Sequence, residues 1–505
     1  MKHLLHAMLF MAVILLAGCS QDGADSREEE KRPITLCYEL FGSQTAEDTE
    51  NEWYRELERR TGEKITVQRI PSVNYVSRIE RMTTADSLPM AVAANDSLMS
   101  SPVMRRAISA GSFWKLDDYI EDYPALYQLI GEQFWESVRI DGAVYGIPRL
   151  RIQPRNGLYY RADWAQRLGI SEVRTLEDFY RMLTRFTYED PDGNGRDDTY
   201  GLGFCWTDYG NKSWNGIATL TTVLGGPNYW EYRDGAMLPD FFTEEYLEAL
   251  RFFRRCINEG VMSREISITT VQQRQKDFLE GNTGCCFGCI DDALGLQAEL
   301  ESRIPGASLA VMTSLENGGK SRRVNSDRGY NGMVMFNKSG EGGIRTEEEL
   351  RRVLSFFNSL CEQEDLFTYG VEQVDFVQNP DGSKELLKME DGTLKLNADM
   401  MDFTQIFTFD RMTGASEDSE LKRQLEKVME ESSPYLVFDD ADLLQSSTYI
   451  KKKESLNRII QNASMRYILG EIGDEGFNAA LEEWLEAGGT EVISELTEQY
   501  ELKKK

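Results

Sequence analysis

The chain has 505 residues, enough for about two to four ordinary domains, and its 41% apolar and 28% charged composition excludes wholesale disorder. A formal net charge of −29, or −30 once the first 18 residues with their single Lys2 are set aside, repels phosphate backbones and argues against nucleic-acid binding. The only histidines, His3 and His6, lie in an N-terminal leader, so the rest of the chain cannot run Ser-His-Asp or Cys-His catalysis, build an H-E-x-x-H zinc site or ligate c-type haem.

In chain order, Lys2 and the mostly apolar run Leu4–Leu16 read as a signal peptide over residues 1–18, too short to span a bilayer. The run closes on Leu16-Ala17-Gly18-Cys19, which resembles the lipobox of bacterial lipoproteins. That resemblance implies cleavage before Cys19 and a diacylated Cys19 anchoring the chain to a membrane outer face. The alternative is an ordinary secretory leader with an incidental cysteine. Residues 19–32 are polar and aperiodic, the composition of a flexible tether. No later segment reaches 18 apolar residues.

Pro33–Tyr38 is the first expected strand, Glu50–Arg60 a helix with Trp53, Tyr54 and Leu57 on one face, and Lys64–Val67 a second strand. Strand, helix and strand in succession predict an α/β fold with mostly parallel sheets. Thr175 is expected to cap a helix through Phe179, Met182, Leu183 and Phe186. Thr346 and Glu349 have capping-box spacing ahead of Leu350, Val353, Leu354, Phe357 and Leu360. A last amphipathic helix carries Phe477, Leu481, Trp484 and Leu485, stops at Gly488-Gly489 and restarts at Thr490.

Besides Cys19 there are seven cysteines, an odd number that cannot all pair within one chain. Gly284–Ile290 reads as a buried strand in which Cys285, Cys286 and Cys289 act as small hydrophobes. A redox or metal role for Cys286-Phe287-Gly288-Cys289 is the alternative.

Tyr145–Arg149, Gly157–Trp164 and Leu168-Gly169-Ile170 resemble the crossover region of extracellular solute-binding proteins of ABC importers. Trp114–Tyr119, Asp277–Asn282 and Phe336–Ser339 resemble further segments of the oligosaccharide and multiple-sugar branch, in order along residues 33–505. The resemblance implies a two-lobed, type 2 periplasmic-binding-protein fold that is not an enzyme. Lobe 1 would hold residues 33–147 plus about 305–365, and lobe 2 residues 148–304 plus about 366–505. It also implies an oligosaccharide or other small solute as ligand, ABC permease subunits as partners, and no nucleic acid.

Asp190-Pro191-Asp192-Gly193-Asn194-Gly195-Arg196-Asp197-Asp198 fits the first half of an EF-hand loop, with Asp190, Asp192, Asn194, the Arg196 carbonyl and Asp198 as candidate Ca2+ ligands. Position 12 is Gly201 where an EF-hand has Glu, so another oxygen must complete the shell. The pattern resembles the structural calcium loop of some oligosaccharide- and alginate-binding members of the family. A tight Asp/Gly/Asn turn without metal is the alternative.

For the ligand, aromatic side chains suit the C–H faces of sugar rings, and Trp206, Tyr209, Trp214, Tyr229 and Trp230 are closely spaced. Trp206, Trp214 and Trp230 are candidate platforms, with core packing as the alternative. Arg149, Arg151 and Arg155 cluster at the crossover and suit a uronate carboxylate or paired hydroxyls, or simple salt bridging. Asn95-Asp96 and Asp291-Asp292 follow expected strands, where cleft loops emerge or helices are capped. The leading reading is a lipid-anchored sugar receptor. A secreted carboxylate-dependent glycan-degrading enzyme, or a sensor or peptide receptor on the same fold, remains open.

Overall fold

The computed structural model describes residues 31–40, 52–206, 216–319, 321–382, 384–387, 398–407, 419–442 and 444–504. The leader, Cys19, most of the tether, Tyr209 and Trp214 lie outside them.

The apolar run after Pro33 forms strand β1 (Ile34–Leu40), and the Trp53/Tyr54/Leu57 stripe lies on helix Glu52–Thr61, which it buries. Burying each such side chain contributes about 1.5–3 kcal/mol. The helix returns the chain to β2 (Ile65–Pro71), parallel to β1. With β3 (Ala91–Ala94), β4 (Gly146–Leu150) and the distant β12 (Tyr330–Phe336), these make one sheet in the order β2-β1-β3-β12-β4. A second sheet joins β5 (Asn156–Arg161), β6 (Tyr200–Gly203), β9 (Thr283–Cys289) and β10 (Leu309–Met312) in the order β10-β5-β9-β6. Two-stranded pairs are β7 (Trp230–Arg233) with β8 (Ala236–Pro239), β11 (Val324–Asn325) with β15 (Leu436–Val437), and β13 (Phe376–Gln378) with β14 (Lys384–Leu386).

Both large sheets are mixed: all strands but one run the same way in each. The exceptions are β12 in the first sheet and β5 in the second. Each has just crossed from the other lobe, so it starts at the edge where its neighbours end. That edge is where ligand loops emerge from open α/β sheets.

Each sheet has its own core. The first gathers Leu36, Trp53, Val92, Phe336 and Phe357; the second gathers Leu158, Trp164, Phe179, Phe253 and Phe287. A satellite cluster of Trp484, Leu456, Ile460 and Leu496 ties together the C-terminal helices.

Two chain divisions differ from expectation. Residues 309–312 pair with β5 in the second sheet, although about 305–365 was assigned to lobe 1. Residues 366–407 contribute Leu366, Phe367, Met400, Phe403, Ile406 and Phe407 to the first core, although they were assigned to lobe 2. The crossing therefore falls after β4 and before β12.

Local signals hold with one exception. Thr175 and Asp178 form a reciprocal capping box at helix Leu176–Tyr188. At helix Glu347–Leu360, Thr346 caps the Glu349 N–H, but the Glu349 carboxylate turns back one residue further, accepting from the Arg345 N–H at 2.8 Å and from Arg32. The Gly488-Gly489 stop is a kink, with Gly488 at φ 134° and helix resuming at Thr490. All of β9 is buried. Cys285 belongs to the core on one face and Cys286 to that on the other, and Cys37, Cys256, Cys285, Cys286 and Cys361 are free thiols. Cys286 and Cys289, three apart on a strand, project to opposite faces and cannot pair. No described helix is long and apolar enough to cross a membrane.

Candidate functional site

Among the described residues, two segments, 151–155 and 326–329, carry the chain between the sheets, and hydrogen bonds lash them together. Arg151 N–H donates to the Gly329 carbonyl at 2.7 Å, and Gln153 Nε2 to the Asp327 carbonyl at 2.9 Å. Behind them runs a buried amide ladder. Asn156 Nδ2 donates to Asn325 Oδ1 at 2.6 Å, and Asn325 Nδ2 donates to Asn228 Oδ1 at 2.7 Å. Asn228 Nδ2 then donates to the Ser326 and Val437 carbonyls, both at 2.8 Å. Neither the ladder nor its members were anticipated, because an isolated Asn in sequence carries no sign of its partner 100 residues away.

The strand ends around this junction form the candidate site. On the first sheet, Glu39 sits near the end of β1 and accepts from Asn95 Nδ2 at 3.0 Å, just past β3. Burial raises the Glu39 carboxyl above its usual range, against the pull of Asn95, Arg149 and Arg151. Asn95 Oδ1 also caps the short helix Asp96–Met99 through the Leu98 N–H, so its helix-capping role is realised along with its place at the edge. Asp96 is exposed, and its backbone N–H donates to Asn331 Oδ1 at 3.2 Å. A bulge in β12 between Tyr330 and Met333 aims Asn331 here.

The arginines are mostly structural. Arg149 is buried, with Nε on the Gln405 carbonyl at 2.7 Å, one terminal nitrogen on Gln405 Oε1 at 2.9 Å and the other on the Asn331 carbonyl at 3.1 Å. It clamps residues 404–407 onto β4 and β12 through carbonyl and amide oxygens, which is neither the ligand contact nor the salt bridge expected of it. Arg151 donates to the Leu150 carbonyl. Arg155 pairs with Asp291 at 3.2 Å, which assigns the buried Asp291 to a salt bridge at the second sheet's edge. Asp327 faces Arg155, Arg151 and Asp291, and burial raises its carboxyl.

The aromatic candidates separate. Trp206 follows β6 at the same edge, half-buried against Phe204, with its backbone N–H on the Ile266 carbonyl. Trp230 instead packs on Trp484 in the C-terminal cluster, as the packing alternative has it. Trp214 lies outside the described residues. A concavity of about 430 Å³ opens elsewhere, along Ser77, Glu80, Arg81, Thr84 and Ala85. Its wall is one helix, so it cannot enclose a solute.

The Asp-rich loop is tightly wound. Asp190 has φ 47°, Gly193 φ 74° and Gly195 φ 76°. Asn194 Nδ2 wedges between Asp192 Oδ2 at 2.8 Å and Asp198 Oδ1 at 3.1 Å, and the Arg196 N–H donates to Asn194 Oδ1. Burial raises the Asp192 carboxyl, and the nearby Asp190 and Asp198 add to it. Asp190 Oδ1 is buried with no hydrogen-bond partner. As arranged, no group of three or more Asp, Glu, Cys or His side chains among the described residues forms a metal cage. The donor set is nonetheless all oxygen, the chemistry a hard cation takes, and the orphaned Asp190 oxygen and the amide wedge fit a loop that a cation would draw inward.

Comparison with known proteins places this geometry. The family model for bacterial extracellular solute-binding proteins matches residues 42–253. The chain is 28% identical over 497 residues to the polygalacturonan/rhamnogalacturonan-binding protein YtcQ of Bacillus subtilis, covering 97% of this chain and 96% of the relative. It is 29% identical over 501 residues to lipoprotein LipO of the same organism, covering 98% and 97%. In fold it is similar to an HMO-binding, ABC-transporter-associated solute-binding protein of Bifidobacterium longum infantis, with TM-score 0.66 at 14% identity over 94% of this chain and 100% of the other. The chain is thus similar to bacterial extracellular solute-binding proteins, by family model over residues 42–253 and by alignment with the two Bacillus subtilis relatives over nearly its whole length.

Proposed function

We propose that this protein is the lipid-anchored, extracytoplasmic substrate-binding component of an ABC importer, capturing an oligosaccharide between its lobes and passing it unchanged to a permease. The observation that carries this is the meeting of two sheet edges at the double crossover, in a chain aligned over nearly its whole length with a relative named for binding polygalacturonan and rhamnogalacturonan. Sugars need fixed donors and acceptors for their hydroxyls and a flat apolar surface for their C–H faces. Glu39, Asn95, Asp96 and Asn331 offer the first on one edge, and Trp206 offers the second on the other. Ligand bridging the edges favours the closed state by its extra contacts there, a population shift about the 151–155 and 326–329 hinges.

The proposal includes Ca2+ as a structural clip. Asp190, Asp192, Asn194, the Arg196 carbonyl and Asp198 would hold it, and the cation would neutralise carboxylates that crowd one another. It also includes the diacyl anchor at Cys19, with LipO's description as a lipoprotein in support.

A thermal-shift screen of residues 33–505 with calcium, against neutral and acidic oligosaccharides, tests the reading. A ligand at 100 times its Kd adds about 2.7 kcal/mol to native stability. A stabilising glycan recovered intact supports a receptor. Shortened glycan supports a degrading enzyme, and stabilisation by peptides alone supports a peptide receptor.

A further inference from the structure

Glu39 stands out among the charged groups at the crossover because its partners do not account for it. The residue is 9% exposed, and its polar partner is Asn95 Nδ2, which engages Oε2 alone. Arg149 and Arg151 are near enough to act on it electrostatically, yet neither forms an ion pair with it; their guanidinia are engaged by Gln405, Asn331 and Leu150. Among the described residues Oε1 takes no hydrogen bond, and it is not among the side-chain oxygens sealed from water. A buried carboxylate with one oxygen pinned and the other open is costly to the folded state unless something else uses it.

Its surroundings say what. Glu39 lies at the edge where β1 and β3 end, beside the Asp96 N–H to Asn331 Oδ1 bond. Asn331 uses its Oδ1 there, while its Nδ2 donates to nothing among the described residues and is likewise not sealed from water. The β12 bulge presents it, with Gly332 at φ 65° passing so close to the Ala94 carbonyl that a Cβ would come within 1.9 Å. An open carboxylate acceptor on β1 and an open amide donor on β12, the two strands that flank β3, match vicinal hydroxyls, each of which donates one hydrogen bond and accepts another.

We propose that Glu39 Oε1 and Asn331 Nδ2 are the first lobe's reading groups for a vicinal diol on one ring of the bound sugar, with Asn95 fixing the carboxylate. This rests on the oligosaccharide reading above. A carboxylate here selects for hydroxyls and against a uronate carboxylate on the same ring, so the acidic groups of any charged glycan must lie on neighbouring rings.

The test compares wild type with Glu39→Gln, which keeps an oxygen for Asn95 but loses the charge, by calorimetric titration with kestose, nystose, trigalacturonate and a rhamnogalacturonan tetrasaccharide. Charge-assisted hydrogen bonds of this kind predict about tenfold to a hundredfold weaker binding of whichever probe wild type takes, with the unliganded Tm within about a degree of wild type. Asn331→Ala should weaken the same probe by a smaller factor. If Glu39→Gln does not fold, Glu39→Asp, which withdraws the carboxylate by one methylene, should show the loss instead. Wild-type affinity in Glu39→Gln, or a lowered Tm with unchanged affinity, would overturn the assignment while leaving the sugar reading intact. A wild-type protein that binds no probe, yet binds a peptide, would overturn both.

Discussion

Replacing Asn325 by Leu removes the middle rung of the buried amide ladder while nearly conserving side-chain volume. Asn325 is fully buried, and Asn156 and Asn228 on either side are 5% and 4% exposed. The substitution strands Asn156 Nδ2, whose neighbouring Oδ1 already has no partner, and Asn228 Oδ1. Thr222 Oγ1 loses one donor but keeps its own bond to the Ala218 carbonyl. Two stranded buried groups at about 1–3 kcal/mol each give a loss of about 2–6 kcal/mol. With a urea m-value of about 4 kcal/mol/M for a chain this long, the unfolding midpoint should fall by about 0.5–1.5 M, read by tryptophan fluorescence and circular dichroism. Where two transitions resolve, the fall belongs to the lobe that holds Asn228 and Thr222. A shift below about 0.2 M would refute the claim that the ladder holds the hinge together.

Chelation should lower the Tm by several degrees and added Ca2+ should restore it, with Asp190→Asn abolishing the response; an unchanged Tm and no metal by mass spectrometry would make residues 190–198 an ordinary turn. Asp402, whose Oδ2 is buried without a partner, has its carboxyl raised to about 6, chiefly by burial and then by Asp399, against the pull of Arg69. The folded state therefore holds this proton more tightly than the unfolded one, so stability falls as pH rises from about 4 through 6. Asp402→Asn should accordingly raise the Tm by about 1–2 °C at pH 7.5 and leave it unchanged at pH 4, a difference that a pH series of melts reads directly. Gly332→Ala puts a Cβ within 1.9 Å of the Ala94 carbonyl at a φ of 65°, so a Tm drop of several degrees is expected, and a wild-type melt would contradict the bulge geometry.

Local order was legible because it is written in neighbouring residues. The Trp53/Tyr54/Leu57 stripe, the Thr175–Asp178 box and the small-residue run of β9 each contain their own explanation. Chain division was not. Residues 309–312 look like any apolar strand, and only their pairing with β5 puts them in the second sheet; Phe403 and Phe407 reach the first core from beyond a stretch that sequence patterning could not bridge. The candidate site was half legible. Strand-end position located Asn95, Asp96 and Asp291, and aromatic density located Trp206, whereas the roles of Arg149 and Asp291 depended on partners 256 and 136 residues distant. Glu39 could have been found, since a carboxylate near the close of an apolar strand marks that edge in sequence.

The most direct test of capture without chemistry is calorimetric titration of residues 33–505 with the glycan that stabilises them best, followed by analysis of the glycan recovered. Saturable binding of one oligosaccharide per chain, returned at its original length, is the predicted result. Heat absent for every glycan, or a recovered glycan cut to shorter products, would contradict the account.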